Sequence, residues 1–121
     1  MQISRHDVSF AGMATPSGDS DGDLAIVTMR FDATDPSSLV AVLSKYVVLA
    51  RMQHGCRNID LCASASQPGR FLVIEKWESA EAQRAHFDSE VMVDMASACN
   101  GLLASAPDIE LWDAASAHDL L

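Results

Sequence analysis

The 121-residue chain carries seventeen acidic against eight basic side chains, a formal charge of −9, and that field repels phosphate backbones, which argues against a nucleic-acid partner. Apolar residues make up 49% and charged residues 21%, the proportions of one ordinary globular domain. No apolar run approaches the roughly 20 residues that a membrane helix needs.

Met1-Gln2-Ile3-Ser4-Arg5 lacks the hydrophobic segment of a signal peptide, so a cytoplasmic protein is expected. Residues 1–22 read as an N-terminal extension, rich in Gly, Ser and Asp and without periodicity, in which Val8, Phe10 and Met13 are the residues able to dock elsewhere. The domain proper is expected over 23–113. It opens with Leu24 to Phe31, β-prone and apolar on both faces, as a central covered strand. Asp35-Pro36 supplies a helix N-cap and an N1 proline. Leu39, Val42, Leu43, Tyr46, Val47 and Ala50 then fall on one face of a helix ending near Gln53, with Gly55 past its end.

Cys56 to Ala63 alternates as a half-buried strand, and the turn from Ser64 to Gly69 returns the chain into the strand Phe71 to Trp77. Parity places Ile59, Leu61 and Ala63 on the face of Phe71, Val73 and Trp77. Setting Asp60 opposite Lys76 rather than Glu75 selects a register in which paired positions sum to 136. Ser79 caps a helix running to Phe87, and Asp88-Ser89-Glu90 breaks it and starts another, with Met92, Met95, Ala96, Cys99 and Leu103 on one face. A short strand, Ile109 to Trp112, ends the domain, and 114–121 form a tail. The order β-α-β-β-α-β is the α+β, ferredoxin-like split βαβ plan. An antiparallel sheet with both helices on one side leaves its other side for a second copy, so a homodimer through the open sheet face is expected.

Cys56, Cys62 and Cys99 are an odd set without a CxxC, and six positions along a strand separate Cys56 from Cys62 by roughly 20 Å, too far for a disulfide. Buried thiols in a reducing compartment are the expectation. His6, His54 and His118 lie in the extension, a helix-end turn and the tail, without metal-ligand spacing, so no metal site is expected. Met29, Met52, Met92 and Met95 read as core packing.

Phe71-Leu72-Val73-Ile74-Glu75-Lys76-Trp77-Glu78-Ser79, preceded by Gly55-Cys56 and followed by Ala85-His86-Phe87, resembles the antibiotic biosynthesis monooxygenase (ABM) domain family. The resemblance runs from about Leu24 to Trp112. It implies a dimeric α/β barrel and cofactor-independent oxygenation of a small phenolic, quinol or polyketide-like aromatic. It also implies that Trp77 lines the pocket and that His86 matches a histidine frequent in the family. The strand asparagine of polyketide-modifying members corresponds to Val73, and their distal arginine has no counterpart. Haem-degrading relatives carry a second tryptophan at the position of His86 and a ligating histidine near Met95. This chain has no histidine between His86 and His118, so haem degradation is not expected.

Cofactor-free oxygenation needs a base, hydrogen bonds to a developing oxyanion and apolar walls. The candidates are His86 as base, Trp77 as wall, Asn58 to position the substrate, and Glu75 as a second base if desolvation raises its pKa. Each has a structural alternative. Trp77 also reads as a core aromatic, His86 as a surface histidine with Glu90 at i+4, Asn58 as an interface group, and Glu75 as a carboxylate neutralised by Arg57. A non-catalytic dimeric module holding a small hydrophobic ligand stays open as the alternative function.

Overall fold

The structure is a computed structural model and describes residues 24–116; the extension and the last five residues of the tail lie outside it. Its elements are β1 (Ala25–Asp32), α1 (Pro36–Ala50), β2 (Cys56–Ala63), β3 (Arg70–Trp77), α2 (Ala80–Phe87), α3 (Glu90–Ala98) and β4 (Asp108–Asp113). The strands form one antiparallel sheet in the order β2-β3-β1-β4. This is the ferredoxin-like α+β fold.

Local chemistry sets the helix starts. Asp35 accepts the Ser38 N–H at 3.2 Å ahead of Pro36, Ser79 accepts from Ala82 at 3.1 Å, and Ser89 accepts from Met92 at 3.4 Å. Each cap satisfies an N–H that the first helical turn leaves without an intrahelical acceptor. α1 stops at Ala50, short of the expected Gln53. Arg51 continues only as a cap, and its guanidinium donates to the Ile59 carbonyl at 2.6 Å, tying the helix end to β2.

Alternation along β3 is complete: Phe71, Val73, Glu75 and Trp77 are buried under the helices, and their neighbours are half-buried on the other face. Met29, Phe31, Leu39, Leu43, Ile59 and Val73 fill the core beside them. Each fully buried side chain of this size contributes about 1.5–3 kcal/mol. Ile26, Leu72 and Ile74 lie half-buried on the opposite face with Trp112, whose indole N–H donates to Thr28 Oγ1 at 3.0 Å.

Three expectations are corrected. Asp60 pairs with Ile74, not with Lys76: from Asn58 to Ala63 the β2–β3 positions sum to 134, and a bulge at Arg57 sets Cys56 opposite Trp77. The connection fixes the offset, because Ser64 N–H bonds the Arg70 carbonyl at 2.9 Å and Ser64 Oγ accepts from Gln67 at 2.9 Å. A slip of two keeps parity, so every apolar side chain stays on its expected face, and one solvated charge pair is too weak to choose between such registers. Met52 is 76% exposed, since it follows the end of α1 instead of riding its buried face. Cys62 is exposed and Cys56 half-buried, which leaves Cys99 as the buried thiol.

Gly55 has φ +82°, and a Cβ there would lie 2.5 Å from the Ala82 Cβ. Glycine at this point lets α2 settle against the start of β2, where the Glu78 N–H bonds the Gly55 carbonyl at 2.8 Å. Among the described residues, no helix is long and apolar enough to cross a membrane.

Candidate functional site

Four side chains from three elements meet between the sheet and the helices: Tyr46 on α1, Glu75 and Trp77 on β3, and His86 on α2. Glu75 and Trp77 are two positions apart on one strand, so both point at the helices. The Trp77 indole N–H donates to Glu75 Oε1 at 3.0 Å, and the Tyr46 hydroxyl donates to Oε2. The same hydroxyl stands 2.8 Å from His86 Nε2. The His86 ring stacks on Trp77 with centroids 4.5 Å apart and planes inclined by 24°.

Burial governs the charges. Glu75 is 2% exposed, and desolvation raises its pKa from 4.5 to about 7 against the opposing pull of the Tyr46 and Trp77 hydrogen bonds. Arg57 does not neutralise it, since that side chain sits exposed at the bulge. His86 is 5% exposed, and desolvation lowers its pKa from 6.5 to about 4, so the ring is neutral at pH 7. Glu90, four positions on, lies on the next helix beyond the break at Asp88 and Ser89, and burial alone shifts His86. Tyr46 is pushed well above its ordinary value by burial and by the Glu75 charge.

His86 Nδ1 is buried and has no hydrogen-bond partner. A buried nitrogen in that state carries a free energy cost of about 1–3 kcal/mol, and in a neutral ring whose Nε2 holds the proton it is a bare lone pair. A neutral histidine with one nitrogen anchored and the other bare can accept a hydrogen bond or a proton at the bare nitrogen. Tyr46 also lines an apolar cleft of about 300 Å³ between α1 and α3, walled by Val42, Leu49, Val91 and Met95, with Lys45 and Asp94 as its charged members.

Of the residues singled out from the sequence, the fold brings Trp77, His86 and Glu75 together and leaves Asn58 apart. Asn58 lies on the open sheet face, where its amide donates to Asp60 Oδ2 at 3.1 Å. From the sequence, Tyr46 reads as part of the core stripe of α1 and nothing more. The signal was present: Tyr46 is the chain's single tyrosine, and a buried tyrosine hydroxyl needs a partner. Among the described residues, no group of three or more His, Cys, Asp or Glu side chains could hold a metal ion.

Residues 24–98 match the family model described as antibiotic biosynthesis monooxygenase, and the chain belongs to that family. Solved structures agree in fold. Rv0793 from Mycobacterium tuberculosis is 25% identical with a TM-score of 0.68, over 74% of this chain and 92% of that one. A candidate antibiotic biosynthesis monooxygenase from Caulobacter crescentus is 21% identical with a TM-score of 0.71, over 79% and 93%. SnoaB, a cofactor-independent oxygenase from Streptomyces nogalater, is 18% identical with a TM-score of 0.71, over 78% and 96%. No curated protein matches the sequence at a significant level.

Proposed function

We propose that this protein is a cytoplasmic, homodimeric, cofactor-independent monooxygenase that oxidises a small phenolic, quinol or polyketide-like aromatic with dioxygen. The observation that carries the reading is His86: neutral, stacked on Trp77, anchored at Nε2 and unpartnered at Nδ1. Family membership and the likeness in fold to SnoaB, a cofactor-independent oxygenase, support it.

In this mechanism His86 Nδ1 removes a proton from the substrate, and the electron-rich anion passes one electron to dioxygen. The resulting radical pair combines through a carbon–oxygen bond to a peroxide anion, which takes the proton back. Loss of water from the hydroperoxide leaves a carbonyl, so one oxygen atom enters the product and the other leaves as water. Trp77 walls the reacting ring and excludes water, which strengthens each electrostatic contact. Glu75 holds the polar cluster in register. Asn58, on the far face, would act on the partner copy or on its own strand and not on the proton transfer.

The test is dioxygen uptake by metal-free protein with a panel of quinols and anthrone-like phenols, each against its autoxidation blank and with chelator present. Uptake above the blank is expected, and His86→Ala should abolish it; turnover unchanged in that variant removes the base role. A second reading draws on Val73, a fully buried core residue where polyketide-modifying relatives carry asparagine. It is a dimeric module that holds a small hydrophobic ligand, and an empty uptake panel with ligand binding intact would select it.

A further inference from the structure

The hydrogen bonds around Tyr46 allow two directions of donation, which differ by one proton on Glu75. With Glu75 ionised, Oε1 accepts from Trp77 and Oε2 accepts from the Tyr46 hydroxyl. The Tyr46 oxygen, with its hydroxyl hydrogen directed at Glu75, accepts from His86 Nε2–H at 2.8 Å, and Nδ1 is the bare nitrogen. With Glu75 neutral, the Trp77 indole still occupies Oε1, so the carboxyl proton sits on Oε2 and points at the Tyr46 oxygen. The Tyr46 proton must then turn toward Nε2, and His86 carries its proton on Nδ1.

We propose that Tyr46 is a positioning residue that joins His86 and Glu75 into one proton-transfer chain, in which a proton accepted at Nδ1 of His86 is matched by a proton delivered to Glu75. His86 passes its Nε2 proton to Tyr46, and Tyr46 passes its own to Glu75. The chain as a whole takes up the one proton that the substrate gives, His86 and Tyr46 each end as neutral as they began, and the negative charge moves from Glu75 to the substrate. The identity of the donor rests on the proposed function above; the chain itself does not.

The arrangement resolves a difficulty in the site. An isolated imidazole held at about 4 is a weak base. A chain that ends on a carboxylate near 7 stores the same proton about a thousandfold more favourably. Tyr46 relays without becoming a tyrosinate, because burial and Glu75 both oppose its ionisation, as does the charge that Cys56 would carry. The other groups near Tyr46 are Lys45 and Asp94, both exposed, on the walls of the neighbouring cleft.

The test is nitrogen-15 NMR of histidine-labelled full-length protein from pH 5 to pH 9, with His86 identified by its absence from His86→Gln. The neutral Nε2–H tautomer is expected at high pH and the neutral Nδ1–H tautomer at low pH, with the exchange centred near the Glu75 value of about 7. Tyr46→Phe should freeze His86 in one tautomer across that range, and Glu75→Gln should do the same should the tyrosine variant fail to fold. An imidazolium appearing across the transition overturns the proposal, as does a wild-type ring that never switches or a switch that persists in a folded variant. Tautomer switching without oxygen uptake leaves the chain standing and refutes the monooxygenase alone.

Discussion

Replacing Glu75 by Gln should expose a pH dependence of stability that the native pair conceals. The folded chain raises Glu75 from 4.5 to about 7, so between those values it holds a proton that the unfolded chain has lost. The corresponding stability is full below pH 4.5 and falls as pH rises to 7. His86 runs the other way. Its value falls from 6.5 to about 4 on folding, so its contribution is full above pH 6.5 and is lost as pH drops to 4. Each interval spans about 2.5 pH units, and at about 1.4 kcal/mol per unit each amounts to about 3 kcal/mol. From pH 4.5 to pH 6.5 the two slopes oppose one another, and the pair leaves wild-type stability nearly level.

Glu75→Gln removes one slope and keeps the side chain's shape and an acceptor for Trp77. Urea unfolding followed by circular dichroism at about pH 5 and about pH 8 reads the outcome. The difference between variant and wild type cancels the background from carboxylates such as Asp32, which Arg70 holds below the usual range. Relative to wild type, Glu75→Gln should gain about 3 kcal/mol as pH rises across that interval. His86→Gln should gain about as much as pH falls from 7 to 4. A Glu75→Gln difference that stays constant with pH would refute the reasoning, since a desolvated carboxyl at this position cannot be silent.

Two further substitutions test how the site is built. Gly55→Ala should cost about 2–3 kcal/mol in the same unfolding assay, because its Cβ meets Ala82 at 2.5 Å in addition to the strain of φ +82°. Gly101→Ala, with φ +80° and open space around the added methyl, should cost about 1 kcal/mol, and equal costs at the two sites would remove the close-approach argument. For the proposed homodimer, wild type should sediment as two copies at equilibrium and Ile74→Arg, altered at the middle of the open sheet face, as one. A wild type that sediments as a single copy refutes the dimer.

The fold was largely legible because its signals are local. Alternation over Phe71 to Trp77, the Asp35-Pro36 cap and the break at Ser89 each depend on a few neighbouring residues, and each element formed near its expected place. The exact β2–β3 register was not, because the turn from Ser64 to Gly69 and the bulge at Arg57 set it, and alternation carries information about parity alone. The site divides in the same way. Strand parity put Glu75 beside Trp77, and the family resemblance added His86. Tyr46 reaches them from 29 positions away from Glu75 and 40 from His86, a meeting that only the packed helices create.

That geometry explains why a charge-bearing cluster sits where a core would serve stability better. Filling the same space with apolar side chains would remove the desolvation cost of a carboxyl and an imidazole, which in buried pairs commonly exceeds the gain from their attraction. Here the carboxyl is held by two donors and the imidazole by one hydroxyl and one aromatic face, yet Nδ1 is left with nothing. A network selected for stability alone would close on itself, since the last unsatisfied atom is the costly one. The site is open at one nitrogen only, at the far end of the chain from the carboxyl that stores the proton. Gly55 and the Ser79 cap fix α2 at the depth that keeps that nitrogen buried and the other anchored. Under the proposed function, the place where the network stops being satisfied is the place where a substrate would complete it.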